Sequence, residues 1–210
     1  MAQDNLEHDG ARADLCRLLA ACYYEPAPEF AEEKLFDSMA AAAARIDADF
    51  AVRAQQLGEA FAAEKLQDLL VDYTRLFLGP LDMRAKPYGS VWQGDRQGLM
   101  QESTMAVQHL YAEGGFEIDE GFRDLPDHIA AELEFLYLLI FRETEALRNG
   151  DLEALEAMAA LRRRFLAEHL GAWAGPFTTA VKAGAETAFY RELAELTSRF
   201  VASERLRAGH

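Results

Sequence analysis

Apolar residues recur at helical spacing along almost the whole chain, and this periodicity limits the folds that the chain can adopt. Residues three or four positions apart share one face of an α-helix, whereas a half-buried strand alternates apolar and polar residues. Alternating runs rich in Val, Ile and Thr are scarce here. The sequence therefore predicts an all-α protein, which we expect to form one domain over residues 1 to 210.

The expected architecture is a single-domain helical bundle of about nine helices. Gly and Pro residues separate several of them, as in "EPAP" at 25 to 28, "GG" at 114 to 115 and "NGD" at 149 to 151. The predicted helices cover residues 11 to 24, 29 to 46, 48 to 63, 65 to 77, 97 to 113, 126 to 148, 151 to 170, 173 to 183 and 186 to 206.

The helix predicted over residues 126 to 148 is expected to lie buried at the centre of the bundle. From Leu133 to Phe141 it is apolar except for Glu134, so neighbouring helices should pack on most of its sides. Pro126 suits a first helical turn, because its missing N–H would have no partner there. Asp127 is expected to cap this helix by accepting hydrogen bonds from its free amides.

Two segments interrupt the helical pattern and are long enough to be functional loops. The first, "LGPLDMRAKPYGSVWQGD" at 78 to 95, combines Gly and Pro residues with Tyr88 and Trp92. The second, "GGFEIDEGFRDL" at 114 to 125, leads into the predicted central helix. Tyr and Trp side chains combine a large apolar surface with one polar group, which suits them to anchor a bound peptide. Alternatively, the two rings only close the end of the bundle.

Composition excludes several classes of protein. The chain has 36 acidic and 21 basic side chains, a net charge of −15, whereas nucleic-acid binding needs Lys and Arg to neutralise phosphates. No segment reaches the roughly 18 apolar residues of a membrane-spanning helix, and the amino terminus lacks a basic-then-apolar signal. Cys16 and Cys22 fall on different faces of one predicted helix, so both are expected to be reduced. A cytoplasmic protein without nucleic-acid partners is expected.

Four ionisable residues at the start of the predicted central helix, Asp127, His128, Glu132 and Glu134, raise the question of a functional site. As metal ligands, only His128 and Glu132 share a helix face, at positions i and i+4. Glu134 would point about 160° away from Glu132, given 3.6 residues per turn. No bound metal is therefore expected.

Catalysis and peptide binding are the two other interpretations of these residues. Asp127 and His128 are adjacent in a helix and would not face each other, and no nucleophile is evident. Phosphate-binding loops and nucleophile elbows are also missing from the sequence, so no enzymatic activity is expected. Together with the aromatic loop, the carboxylates would suit a peptide that carries arginine and apolar residues. A purely structural role in helix capping and amide binding remains compatible with all of these observations.

Several segments closely resemble signatures of the TorD/DmsD family of redox-enzyme maturation chaperones. They are "DYTRLFLGP" at 72 to 80 with "KPYGSVW" at 86 to 92, then "PDHIAAELEFLYLL" at 126 to 139, and "FLAEHLGAWAGPF" at 165 to 177. The resemblance extends from about residue 10 to residue 205. It implies an all-helical cytoplasmic chaperone that has neither catalytic activity nor a cofactor of its own.

Members of that family bind the twin-arginine leader peptide of a molybdopterin-dependent oxidoreductase subunit and assist its folding, cofactor insertion and export proofreading. The implied partners are therefore this leader and the body of the client's catalytic subunit. The resemblance implies peptide-binding roles for Tyr88, Trp92, Asp127 and His128, with Glu132 and Glu134 in the same signature. The two glutamates point opposite ways on a helix and are not expected both to face the peptide.

Two other functions and a dimeric form are alternatives to this interpretation. A NarJ-like chaperone would serve a membrane-bound nitrate reductase, although the aromatic loop and the intact "PDH" favour the TorD/DmsD type. A nucleotide-hydrolysing enzyme is less compatible with the missing phosphate loop. The family also includes domain-swapped dimers, which makes residues 114 to 125 a candidate hinge, but a monomer is expected here.

Overall fold

The computed structural model describes residues 2 to 79, 83 to 93, 100 to 118 and 124 to 209. Apart from one antiparallel bridge between Tyr88 and His128, the regular structure in these ranges is helical, which confirms the all-α prediction. The α-helices are α1 (Ala2–Ala21), α2 (Glu29–Glu32), α3 (Leu35–Ile46), α4 (Ala48–Ala63), α5 (Leu66–Tyr73), α6 (Gly89–Gln93), α7 (Met100–Gly114), α8 (Ile129–Asn149), α9 (Leu152–Glu168), α10 (Leu170–Gly184) and α11 (Ala188–Ala208). A π-helical turn, Thr74–Leu78, continues α5. Of the helices in these ranges, none is long and apolar enough to cross a bilayer.

The described ranges contain eleven α-helices, where about nine were expected, for two reasons. The helix predicted over 29 to 46 is divided at Lys34, whose φ of 55° cannot continue a right-handed helix. The short helix α6 forms inside the loop predicted over 78 to 95. Residues 80 to 82 and 94 to 95 of that loop, and residues 119 to 123 of the candidate hinge, lie outside the described residues.

Helix α8 packs against α1 on one side and against α9 and α10 on others. Its first five residues, Ile129 to Leu133, are all buried, which agrees with the predicted central position. The helix becomes more exposed toward its carboxyl end, where the Phe141 side chain is 40% exposed. It ends at Gly150, whose φ of 70° is the left-handed conformation that glycine adopts readily after a helix.

Aromatic rings from several helices form the middle of the core. The Tyr23 ring lies 5.7 Å from the Phe177 ring and 6.1 Å from the Phe77 ring, and all three side chains are buried. A buried aromatic side chain removes about 150–250 Å² from water, so such a cluster contributes several kcal/mol. Cys16 and Cys22 are buried free thiols, as the sequence predicted.

Carboxylates from distant helices hold the start of α11. Asp72, fully buried on α5, accepts hydrogen bonds from the Glu186 amide at 2.9 Å and from the Thr187 amide at 2.8 Å. Glu64 accepts another from the Ala188 amide at 2.8 Å. The first amides of a helix have no partner within the helix, so these two carboxylates take the place of a local cap. The first turn of α6 is likewise capped by a carboxylate that is distant in sequence, that of Asp127.

Candidate functional site

The aromatic segment at 86 to 93 is fastened to the start of α8 through backbone hydrogen bonds. The Ile129 amide donates to the Pro87 carbonyl at 2.9 Å, and the Gly89 amide donates to the Asp127 carbonyl at 2.9 Å. The structure thereby brings Tyr88 and Trp92 to the same place as Asp127 and His128. Tyr88 and His128, from two signature segments that are far apart in sequence, meet as an antiparallel pair.

Asp127 is 1% exposed, and its carboxylate caps α6. The Ser90 amide, in the first turn of α6, donates to Asp127 Oδ2 at 2.7 Å, and the Thr104 hydroxyl on α7 donates to Oδ1 at 3.4 Å. The expectation that Asp127 caps the central helix is therefore wrong. Pro126 likewise precedes α8, because the turn between Leu125 and His128 is closed by its own backbone hydrogen bond before the helix begins.

His128, rather than Asp127, is the N-cap of α8. Its backbone is extended, with φ −68° and ψ 142°, and its Nδ1 accepts a hydrogen bond from the Ala130 amide at 3.2 Å. Burial lowers the pKa of His128 to about 4, against the opposing effect of Asp124 and Asp127. The imidazole is therefore neutral at pH 7, as an acceptor nitrogen requires. Its ring lies edge-on to Tyr88, with ring centroids 5.5 Å apart.

Glu132 is completely buried between α8, α10 and α6. Its Oε2 accepts a hydrogen bond from the Trp173 indole N–H at 2.9 Å, while Oε1 has no hydrogen-bond partner among the described residues. Burial raises the pKa of Glu132 well above its ordinary value, and the bond from Trp173 opposes this. A Cβ atom at Gly89 would lie 2.8 Å from Trp173 Nε1 and 3.1 Å from Glu132 Oε1. Glycine thus allows α6 to approach this pair closely.

Glu134 points to the other side of α8, as its position in the helix predicted. Its Oε1 accepts a hydrogen bond from the Tyr24 hydroxyl at 2.7 Å, which joins α8 to the end of α1. Burial raises the pKa of Glu134, and the bond from Tyr24 lowers it. The side chain is half-buried, so part of this carboxylate faces the surface.

Tyr88 and Trp92 are half-buried and held by hydrogen bonds to nearby groups. The Tyr88 hydroxyl donates to Asp124 Oδ1 at 2.8 Å, and Trp92 Nε1 donates to the Lys86 carbonyl at 2.8 Å. The Trp92 ring also packs on Phe177, with centroids 6.4 Å apart. Both rings therefore have fixed orientations and retain an exposed part, as an anchor for a ligand requires.

Asp124 is an exposed carboxylate at this site, and no pattern in the sequence singled it out. Burial raises the pKa of Tyr24, Tyr73 and Tyr88, and the pKa of Tyr73 is about 12. The next largest cause is Asp124 for Tyr73 and Tyr88, and Glu134 for Tyr24, on which Asp124 has a smaller effect. Glu25 adds to the effect on Tyr73. One region therefore combines three carboxylates with three phenols, of which Tyr73 is 8% exposed and the other two are half-buried. We call it the acidic tyrosine cluster: Tyr24, Glu25, Tyr73, Tyr88, Asp124 and Glu134.

No metal centre accompanies this cluster within the described residues. Among them, no group of three or more His, Cys, Asp and Glu side chains is placed to hold a metal ion. His128 accepts a hydrogen bond from the Ala130 amide, and Glu132 accepts one from the Trp173 indole N–H. Both side chains thus anchor the first turn of α8.

Comparison with known proteins identifies the family. The model of the family described as "Nitrate reductase delta subunit" matches residues 43 to 179, more than half of the chain. The chain belongs to the nitrate reductase delta subunit family. The predicted resemblance to TorD and DmsD is confirmed by the relatives that match.

Three relatives illustrate the similarity. The chaperone protein TorD of Vibrio parahaemolyticus is 30% identical over 146 residues, which cover 66% of this chain and 66% of the relative. The chlorate reductase assembly chaperone protein of Ideonella dechloratans is 33% identical over 115 residues, 54% of this chain and 55% of the relative. The Tat proofreading chaperone DmsD of Salmonella typhi is 29% identical over 136 residues, 65% of this chain and 60% of the relative. The alignments thus span somewhat less than two thirds of each relative's own length.

In this member of the family, all three signature segments lie within the matched residues, and they meet in space. Gly89 comes from the first segment, Glu132 from the second and Trp173 from the third. Trp173 donates a hydrogen bond to Glu132, and a Cβ atom at Gly89 would overlap this pair. Each signature thus contributes one residue to the buried support beneath the exposed aromatic side chains. Sequence reasoning found the segments but left open which of Glu132 and Glu134 faces the peptide, because spacing alone does not reveal burial.

Proposed function

We propose that this protein is a maturation chaperone that binds the twin-arginine leader peptide of a molybdopterin-dependent oxidoreductase subunit. It would assist the folding, cofactor insertion and export proofreading of that subunit without catalytic activity of its own. The names of its relatives as TorD, DmsD and reductase assembly chaperones support this proposal. We further propose that the chain acts in the cytoplasm as one domain and as a monomer.

The acidic tyrosine cluster is the observation that carries the proposal. A guanidinium group is a permanent planar cation, which pairs with carboxylates in charge-assisted hydrogen bonds and stacks on aromatic rings. Three carboxylates and the two partly exposed phenols, Tyr24 and Tyr88, offer both kinds of contact to a pair of arginines. The net charge of −15 adds an attraction at longer range, which salt screens beyond about 8 Å.

The roles of the predicted residues are divided in this proposal. Tyr88, Trp92 and Glu134 keep their assignment as peptide contacts, because each has an exposed part. Asp127, His128 and Glu132 become positioning residues, since they are buried and hold α6 and the start of α8. Asp124 takes the place of Asp127 as the carboxylate that the leader meets first.

A NarJ-like chaperone of a nitrate-reductase-type enzyme is the second candidate. The description of the matching family model favours it, since it names the nitrate reductase delta subunit. Such a client would lack an intact arginine pair in its leader. The two candidates therefore differ in whether leader binding requires both arginines of the leader peptide.

Calorimetric titration with leader peptides tests the proposal. The peptides are molybdoenzyme leaders encoded in the same genome, together with copies in which both arginines are replaced by lysine or alanine. Saturable binding to one leader, weakened at least tenfold in the altered copies, would support the twin-arginine proposal. Equal binding of original and altered leaders would favour the NarJ-like candidate, and no binding to any leader would overturn both peptide-binding proposals.

A further inference from the structure

An apolar groove of about 780 Å³ opens between α2, α3, α4 and α5, and the candidate site described above does not include it. Its floor is built from three phenylalanine rings, with Phe36 lying 4.7 Å from Phe61 and Phe30 lying 6.0 Å from Phe61. All three rings are only partly buried. Pockets that bind small ligands typically measure about 300–1,000 Å³, so this groove can hold a short apolar segment.

The backbone at Lys34 and the small residues around the groove explain why it remains open. The left-handed conformation of Lys34 separates α2 from α3, so α2 forms one wall instead of continuing across the opening. Ala40, Ala54 and Gly58 line the groove without filling it. A Cβ atom at Gly58 would lie only 3.0 Å from Phe36 Cβ, so α3 and α4 already pack closely below the opening.

The rim of the groove is acidic. Asp37 and Glu59 are exposed there and make no ion pair or hydrogen bond with another described residue, while Lys34 is the nearby cation. An apolar floor with unpaired carboxylates at its mouth is complementary to an apolar segment that has basic residues beside it. The same rim would repel an acidic partner.

The groove also adjoins the acidic tyrosine cluster. Leu69 lines the groove and Tyr73 belongs to the cluster, and these residues are one turn apart on α5, about 6 Å at a rise of 1.5 Å per residue. A second connection runs along the chain, where Glu25 of the cluster is followed by Pro28 at the groove. Leu69 and Tyr73 are both buried, whereas Glu25 and Pro28 are both exposed, so a bound peptide can pass from the cluster to the groove along the surface at Glu25 and Pro28.

We infer that the groove binds the apolar stretch that follows the basic residues of the client leader peptide. This inference rests on the proposed function. Leader peptides place a basic region before an apolar stretch of about 7–15 residues. The arginines would lie at the acidic tyrosine cluster, and the apolar stretch would enter the adjacent groove, with the carboxylates of the rim facing the basic region.

A pair of neighbouring substitutions tests the groove. Ala62 is exposed and lines it, whereas Ala63 is the next residue of α4, is equally exposed and lies outside the lining. Ala62→Trp is expected to fill the mouth and weaken leader binding at least tenfold in calorimetric titration, while Ala63→Trp changes it less than twofold. Unfolding midpoints and circular dichroism of both variants should match those of the unchanged protein, which confirms that the variants fold.

A second leader, in which serines replace the apolar stretch, completes the experiment. The unchanged protein should bind this leader as weakly as Ala62→Trp binds the original, and Ala62→Trp should weaken it no further. If Ala62→Trp and Ala63→Trp bind the original leader equally, the inference is overturned while the proposed function stands. If sedimentation shows a dimer that only Ala62→Trp dissociates, a second copy covers the groove and the inference is also overturned.

Failure of the proposed function would be recognised separately. If no leader binds the unchanged protein, an apolar model peptide flanked by lysines is titrated instead. Binding of this peptide that Ala62→Trp abolishes and Ala63→Trp preserves would retain the groove as an apolar-segment site. If this peptide does not bind either, both the inference about the groove and the leader-binding proposal are overturned.

Discussion

The Asp127 carboxylate accepts a hydrogen bond from the Ser90 amide at 2.7 Å, across 37 positions of sequence. This contact holds the aromatic segment of α6 against the start of α8. It also buries the carboxylate that sequence reasoning assigned to peptide contact, and leaves Asp124, three residues earlier, at the surface. The two aspartates therefore have different roles, which substitutions can separate.

Asp124→Asn should weaken leader binding about tenfold, because in the proposed complex it removes a charge that would face the arginines, and should change the free energy of unfolding by less than about 0.5 kcal/mol. Asp127→Asn should lower the free energy of unfolding by about 1.5–3 kcal/mol, because it weakens a buried hydrogen bond to a charged group. Urea unfolding and calorimetry measure the two effects. If Asp127→Asn weakened binding without a loss of stability, Asp127 would be a direct contact after all.

His128→Asn should reduce the pH dependence of stability between pH 6.5 and pH 4. The folded-state pKa of His128 is about 4, below the ordinary value of 6.5, so in this window only the unfolded chain takes up the proton. Stability contributed by His128 is therefore present above pH 6.5 and is lost as the pH falls toward 4. Asparagine can cap α8 without titrating.

The measurement is urea unfolding at intervals from pH 8 to pH 4, with His109→Asn on the exposed face of α7 as the control. Glu132 contributes the opposite slope, because its raised pKa favours the folded protein at low pH and that contribution is lost as the pH rises. The pH dependence of stability that Glu132 contributes is the same in the unchanged protein and in both histidine variants. Identical pH profiles for His128→Asn and the unchanged protein would contradict the buried neutral imidazole.

Gly89→Ala should destabilise the protein by about 1–3 kcal/mol, because the new methyl group would overlap Trp173 Nε1 and crowd Glu132. Gly10→Ala is the matched control, since a Cβ atom at Gly10 of α1 would meet nothing within 4 Å. Alanine there should stabilise the helix by about 0.5–1 kcal/mol. Thermal unfolding compares both variants. Equal stability of the two variants would mean that α6 does not pack against the Glu132–Trp173 pair.

Glu204→Gln should lower the free energy of unfolding by about 3 kcal/mol. Glu204 is 1% exposed on α11, and both of its carboxylate oxygens accept hydrogen bonds from Arg12 on α1. The substitution leaves the buried Arg12 charge with only the partly exposed Asp9 as counter-ion, and loss of one partner of a buried ion pair costs about 3–5 kcal/mol. Glu7→Gln, which breaks an exposed pair with Arg45, should cost less than about 1 kcal/mol. A cost for Glu204→Gln as small as that of the control would show that the buried pair is solvated.

The sequence by itself determined most of the helices, although it missed α6, the division at Lys34 and the beginning of α1 at Ala2. Helix α4 begins and ends where the pattern predicted, and the ends of α8, α9 and α11 differ from the prediction by no more than three residues. Helical periodicity and glycine at positions such as Gly150 are local properties, and a helix forms from local hydrogen bonds, so these features can be read from neighbouring residues. The family signatures could be recognised for the same reason, as short continuous segments.

Only the tertiary structure decided what each carboxylate does. Asp72 holds α11 and Asp127 holds α6, although both are far from those helices in sequence. Asp124 is exposed and Glu132 is buried, although Asp124 lies just before the signature at 126 to 139 and Glu132 lies within it. Spacing along one helix gives the direction of a side chain but does not say which other helix covers it. Burial, hydrogen-bond partners and the apolar groove depend on that packing, so they became visible only when the helices were assembled.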